Sequence, residues 1–134
     1  MLPAADNLLK KNFGKHDKLK SSLEIENLYR ENKFIVAYPL KCYYSFSEIM
    51  ENKSTVQAAF AVPKRIFKHA VIRNTLKRRM REGYRLHFKK IFEILINQKD
   101  KQLKLFFIYI GKETLDYECI AQNMQVSMQK IAAI

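Results

Sequence analysis

A mixed α+β fold, a single domain of layered sheet and helices, is what this sequence predicts. Three observations carry it. Phe34 to Tyr44, Thr55 to Val62 and Leu103 to Ile110 are rich in branched and aromatic residues, the composition of strands. Between the last two, Ile72, Leu76, Met80, Tyr84, Phe88, Ile91 and Leu95 recur at steps of four and three, the stripe of a long amphipathic helix. No repeat, low-complexity tract or Pro/Gly-rich linker divides the 134 residues, so the elements share one core.

Taken in order, residues 1–17 mix polar, charged and Pro/Gly residues without periodicity and read as an irregular N-terminal arm, with a single domain over residues 18–134. Leu23, Ile25, Leu28 and Tyr29 suit a short helix ending near Asn32. Ser21 or Ser22 is its cap, and Glu24 and Glu26 lie in the first turn, where the helix dipole favours acids. Pro39 lacks the N–H that a sheet ladder needs, so Phe34 to Tyr44 is either two strands or one edge strand bent there. Ser45 to Ser54 is a polar turn, and Pro63 closes the strand from Thr55. Gly83 interrupts the long helix at a cost of about 1 kcal/mol relative to Ala, so packing compensates or the helix bends there. Gly111 ends the most apolar strand. A last helix starts near Asp116 and buries Ile120, Met124, Met128 and Ile131. The predicted order is α-β-β-(β)-α-β-α.

The chain carries 25 Lys and Arg against 13 Asp and Glu, a formal charge of +12. That excess is local. Eleven of the basic residues and one acid, Glu82, fall between Lys64 and Lys90, so the remainder is nearly balanced. Asn74, Arg78, Arg81 and Arg85 share one helical face, with Arg73, Lys77 and Arg81 as an overlapping row. Like charges at i and i+4 destabilise a helix by a few tenths of a kcal/mol per pair, and a solvated face usually intersperses Glu to avoid this. A cationic ridge without acids points to a polyanion, and guanidinium forks suit phosphates and exposed bases. RNA is the expected partner. No helix-turn-helix, finger or leucine heptad is present to read duplex DNA.

Other classes fare worse. Cys42 and Cys119 form no CxxC pair, and His16, His69 and His87 lack zinc-site spacing, so a reduced, cytoplasmic protein without a dedicated metal or cofactor site is expected. His69 falls at the start of the basic helix. No apolar run approaches the ~20 residues of a membrane span. The acids mark no cluster of the kind a protein two-metal nuclease needs, so no catalytic residue is assigned. Tyr29, Tyr38, Tyr43 and Tyr44 have two readings: core aromatics of a sheet, or a platform on which single-stranded bases stack.

The segment Val62 to Arg85, VPKRIFKHAVIRNTLKRRMREGYR, resembles the signature region of the bacterial ribonuclease P protein. The family pattern is a K-[KR] pair at a strand end followed by A-x-x-RN-x-x-KR-x-x-RE. It falls here on Lys64, Arg65, Ala70, Arg73, Asn74, Lys77, Arg78, Arg81 and Glu82. Thr75 stands where the family often has a second Arg. Lys18 to Leu40 is similar to the family's first helix and strand, with Ile25 at a position that is often Phe and Tyr29 at a second aromatic position.

The resemblance implies an accessory subunit of an endoribonuclease that removes the 5′ leader of precursor tRNA, with Mg²⁺ and catalysis belonging to the RNA subunit. It implies that Arg73, Asn74, Lys77, Arg78, Arg81 and Arg85 dock on that RNA, while Ile25, Tyr29, Lys64 and Arg65 meet the leader. The protein is expected to be monomeric within the complex. It further implies an α-β sandwich with a left-handed β-α-β crossover carrying the motif helix, against the usual right-handed rule. The alternatives are a basic non-enzymatic module such as a ribosomal protein or RNA chaperone, and an autonomous protein nuclease.

Overall fold

The structure, a computed structural model, describes residues 18–48, 56–99 and 101–134. The predicted arm of residues 1–17, residues 49–54 of the predicted turn, and Thr55 lie outside them. The elements are α1 (Ser22–Glu31), β1 (Phe34–Ala37), β2 (Leu40–Glu48), β3 (Val56–Ala61), α2 (Ala70–Gly83), a π-helical turn (Tyr84–Phe88), α3 (Lys89–Lys99), β4 (Lys101–Tyr109) and α4 (Tyr117–Ala132). The α+β class and the order of elements agree with the sequence.

Local chemistry sets the ends. The Ser21 side chain accepts a hydrogen bond from Glu24 N at 3.3 Å and starts α1, and Asn32 closes it in the left-handed region at φ 55°. Pro39 sits between β1 and β2, so Phe34 to Tyr44 is a hairpin of two strands. Asp116 caps α4 by accepting from Cys119 N at 2.9 Å.

The sheet order is β1-β2-β4-β3, antiparallel except for the parallel β3/β4 pair. That pair is joined through α2 and α3 in a β-α-β connection. β4 is central and covered on both faces. Leu103, Leu105, Phe107 and Tyr109 enter the main core with Leu76, Met80, Tyr84, Phe92, Ile120, Met124 and Ile131 from α2 to α4, whereas Phe106 and Ile108 join Leu19, Leu28 and Tyr43 under α1. Each such side chain, fully buried, stabilises by about 1.5–3 kcal/mol before entropy is charged against it.

Two predictions are corrected. Ser45 to Glu48 belongs to β2, not to a turn, because Phe46 continues the Cys42, Tyr44 alternation and pairs with Leu103. The long helix is not one regular α-helix. Directly after Gly83 it widens into the π-helical turn before resuming as α3. Gly83 also lies against α4, where a Cβ would meet the Ala121 Cα at 3.4 Å and its Cβ at 3.5 Å, ordinary contact distances.

Gly83 is helical at φ −59°, so Gly83→Ala is expected to stabilise the fold by up to about 1 kcal/mol in chemical denaturation through helix propensity. Gly83→Leu should destabilise it by wedging α2 from α4. A loss on Gly83→Ala would mean the crossing of these helices has no room for a methyl group.

Candidate nucleic-acid interface

Two surfaces emerge, one on each side of the sheet. On the helical side, Leu76 and Met80 anchor α2 to the core, which turns Asn74, Arg78 and Arg81 to solvent. Lys77 is half-buried beside them. Among the described residues, Asn74, Lys77, Arg78 and Arg81 make no side-chain hydrogen bond or ion pair, so their polar groups are available to a ligand.

Five other basic residues, Arg73, Arg79, Arg85, Lys89 and Lys90, are engaged within the fold. Arg73 donates from Nη1 to the carbonyls of Phe67 at 2.7 Å and Lys68 at 2.8 Å, bracing the loop that enters α2. Arg85 pairs with Glu82 at 2.9 Å on the same helix. Arg79 donates to Leu115 O at 2.6 Å and holds the segment before α4. The buried Lys89 and the half-buried Lys90 both pair with Glu93. Thr75 turns its hydroxyl back on the Val71 carbonyl at 2.9 Å, a bond within α2. His69 is the exposed residue preceding α2, and its side chain does not cap the helix.

On the other side, α1 covers only part of the sheet. Strand register gives two cross-sheet rows there: Phe34, Tyr43, Phe106, Ala59, and next to it Val36, Lys41, Ile108, Ala61. Tyr29 leans from α1 onto the first row, its ring centroid 4.7 Å from Tyr43 and 5.6 Å from Phe106. It remains 47 % exposed. Partial burial, with Tyr43 adding to it, raises the Tyr29 phenol above its ordinary pKa, so the ring stays neutral and its O–H remains a donor.

Lys41 and Ile108 of the second row enter a groove of about 380 Å³ lined also by Tyr29, Tyr43, Arg65 and Ile110, among others. Lys41 lies 4.1 Å over the Phe34 ring and 5.0 Å over Tyr43, a cation–π arrangement that leaves a positive charge on an apolar floor. Flat rings flanked by Lys41 and Arg65 suit a single strand, bases on aromatics and phosphates on cations.

Of the residues expected at the leader, Tyr29 and Arg65 come together here. Ile25 instead packs beside Leu28 in the smaller core, and Lys64 is exposed on the turn after β3 without lining the groove. Tyr43 is buried yet forms one wall, Tyr38 is exposed beyond β1, and Tyr44 packs on the opposite face. Lys41 escaped the sequence reading. Its signal was there: it is the one charged residue in Phe34 to Tyr44.

Comparison with known proteins agrees with this architecture. A family model described as Ribonuclease P matches residues 13–132. The ribonuclease P protein component of Porphyromonas gingivalis is 29% identical over 121 residues, covering 90% of this chain and 86% of that protein. That of Chlorobium phaeobacteroides is 31% identical over 125 residues, covering 87% and 86%. In fold, the chain is similar to the Staphylococcus aureus RNase P protein, with a TM-score of 0.63 at 14% identity over 86% of this chain and 94% of that one. A match across nearly all of the domain, carried through the motif helix, the sheet and α4 alike, makes this chain a member of the ribonuclease P protein family.

Proposed function

We propose that this protein is the accessory subunit of ribonuclease P. In this reading α2 docks on the catalytic RNA through Asn74, Lys77, Arg78 and Arg81, and the groove under α1 holds the 5′ leader of precursor tRNA. The observation that carries the reading is the pairing of an unneutralised cationic ridge on one layer with an aromatic, cation-flanked groove on the other. A generic basic module needs only the first.

Phosphodiester hydrolysis belongs to the RNA and its Mg²⁺. The protein's part is electrostatic and positional. Each Lys or Arg placed on a phosphate releases condensed counterions and lowers the Mg²⁺ needed to hold two RNAs together. Arg73 contributes at one remove, fixing the loop from Phe67 to His69 and so the origin of α2, and Arg85 is partly neutralised by Glu82.

Reconstitution tests this. Protein alone is expected not to cleave precursor tRNA, and its addition should raise cleavage by the ribonuclease P RNA at low Mg²⁺. Cleavage by nuclease-free protein without RNA would overturn the accessory role.

Arg78→Ala is expected to weaken binding to the catalytic RNA and to reduce the salt slope by about one phosphate contact. An unchanged affinity and slope would move the docking surface elsewhere. Tyr29→Ala should leave that binding intact and weaken binding of precursor tRNA by about 1–3 kcal/mol, with no effect on mature tRNA, which has no leader to stack. Equal losses for both substrates would assign Tyr29 to the core alone.

A further inference from the structure

The β3 edge of the sheet is met by residues that precede α1. Lys18 bridges to Ala58 in parallel, and Leu19 donates its backbone N–H to the Ala58 carbonyl at 3.0 Å. Leu19 is buried in the smaller core, while Lys18 and Lys20 on either side of it are exposed. In extended backbone, neighbours of a residue that points inward share the opposite side.

There the two lysines meet α2. Lys18, Lys20 and Arg81 line a hollow of about 310 Å³ whose remaining walls are Leu19, Ala58, Ala59 and Phe60. Three cations converge from two segments far apart in sequence, and among the described residues none that lines the hollow is acidic. Among the described residues none of the three is engaged in an ion pair, and Glu82, next to Arg81, is taken by Arg85. Mutual repulsion opposes this grouping, so an anion that bridges the two segments is favoured there.

We propose that this hollow is a second phosphate site, in which Lys18 and Lys20 carry the RNA surface of α2 across the β3 edge and hold a backbone phosphate jointly with Arg81. The ligand is a phosphodiester of RNA, since Arg78 and Asn74 extend the same exposed strip along α2 and a polymer occupies both at once. The inference rests on the RNA-docking role of α2 and adds that the segment before α1 is part of the docking surface.

The test is equilibrium binding of the full chain to ribonuclease P RNA and to an unrelated structured RNA of equal length, each over a salt series. The chains compared are wild type, Lys18→Ala/Lys20→Ala, Arg81→Ala, and the triple variant. The double variant is expected to lower the slope of log affinity against log salt by up to about one contact, since one phosphate is shared. Its effect should largely vanish in the Arg81→Ala background, because the same phosphate is shared. Lys18→Arg/Lys20→Arg should restore the wild-type slope, which separates charge from folding. A double variant with wild-type slope, or losses that simply add to that of Arg81→Ala, would overturn the shared site while leaving docking by α2 intact. Equal affinity of the wild type for both RNAs would instead count against the ribonuclease P reading and leave the hollow to be judged by its slope and coupling alone.

Discussion

Burial of β4 on both faces is the constraint from which the rest of the molecule follows. A strand whose alternate side chains both need cover cannot sit at an edge or face water, so β2 and β3 flank it and helices lie above and below. Three helices cover the face of Leu103, Leu105 and Phe107 completely. The face of Phe106 and Ile108 receives only α1 and Leu19, and what α1 leaves open becomes the groove. The ridge and the groove thus come from unequal coverage of one sheet.

The same geometry divides the cations into two kinds. Arg73, Arg79 and Lys89 point toward carbonyls or an acid and brace the loops and helix that frame the core. Lys77, Arg78 and Arg81 point away from it. A run that carries most of the chain's net charge therefore braces the fold at some positions and is left unpaired on the surface at others, and the helical phase set by Leu76 and Met80 decides which.

Much of this was legible in the residues. Pro39 marked the hairpin, Ser21 and Asp116 the helix starts, and the step-four stripe from Ile72 placed the basic face away from the core. What could not be read depends on tertiary partners. Phe46 extends β2 only because Leu103 lies opposite, and the π-helical turn after Gly83 appears where α2 meets α4. The sequence shows Arg73 and Arg78 as equivalent members of one motif, and only the path of the Phe67 to His69 loop distinguishes them. Lys41, read from sequence, is a single charge in an apolar stretch. Its meaning depends on the register that sets it beside Ile108 and opposite Val36, under Tyr29 and Arg65.

The central claim is that the two layers serve two different RNAs. Site-specific photocrosslinking in the reconstituted complex tests it most directly, with a photoreactive phenylalanine analogue replacing Tyr29 in one preparation and Arg78 in another, and with the leader and the catalytic RNA carrying different labels. Position 29 is expected to crosslink the leader and position 78 the catalytic RNA. Crosslinks from both positions to the same RNA would contradict the division of the sheet into a docking layer and a leader groove.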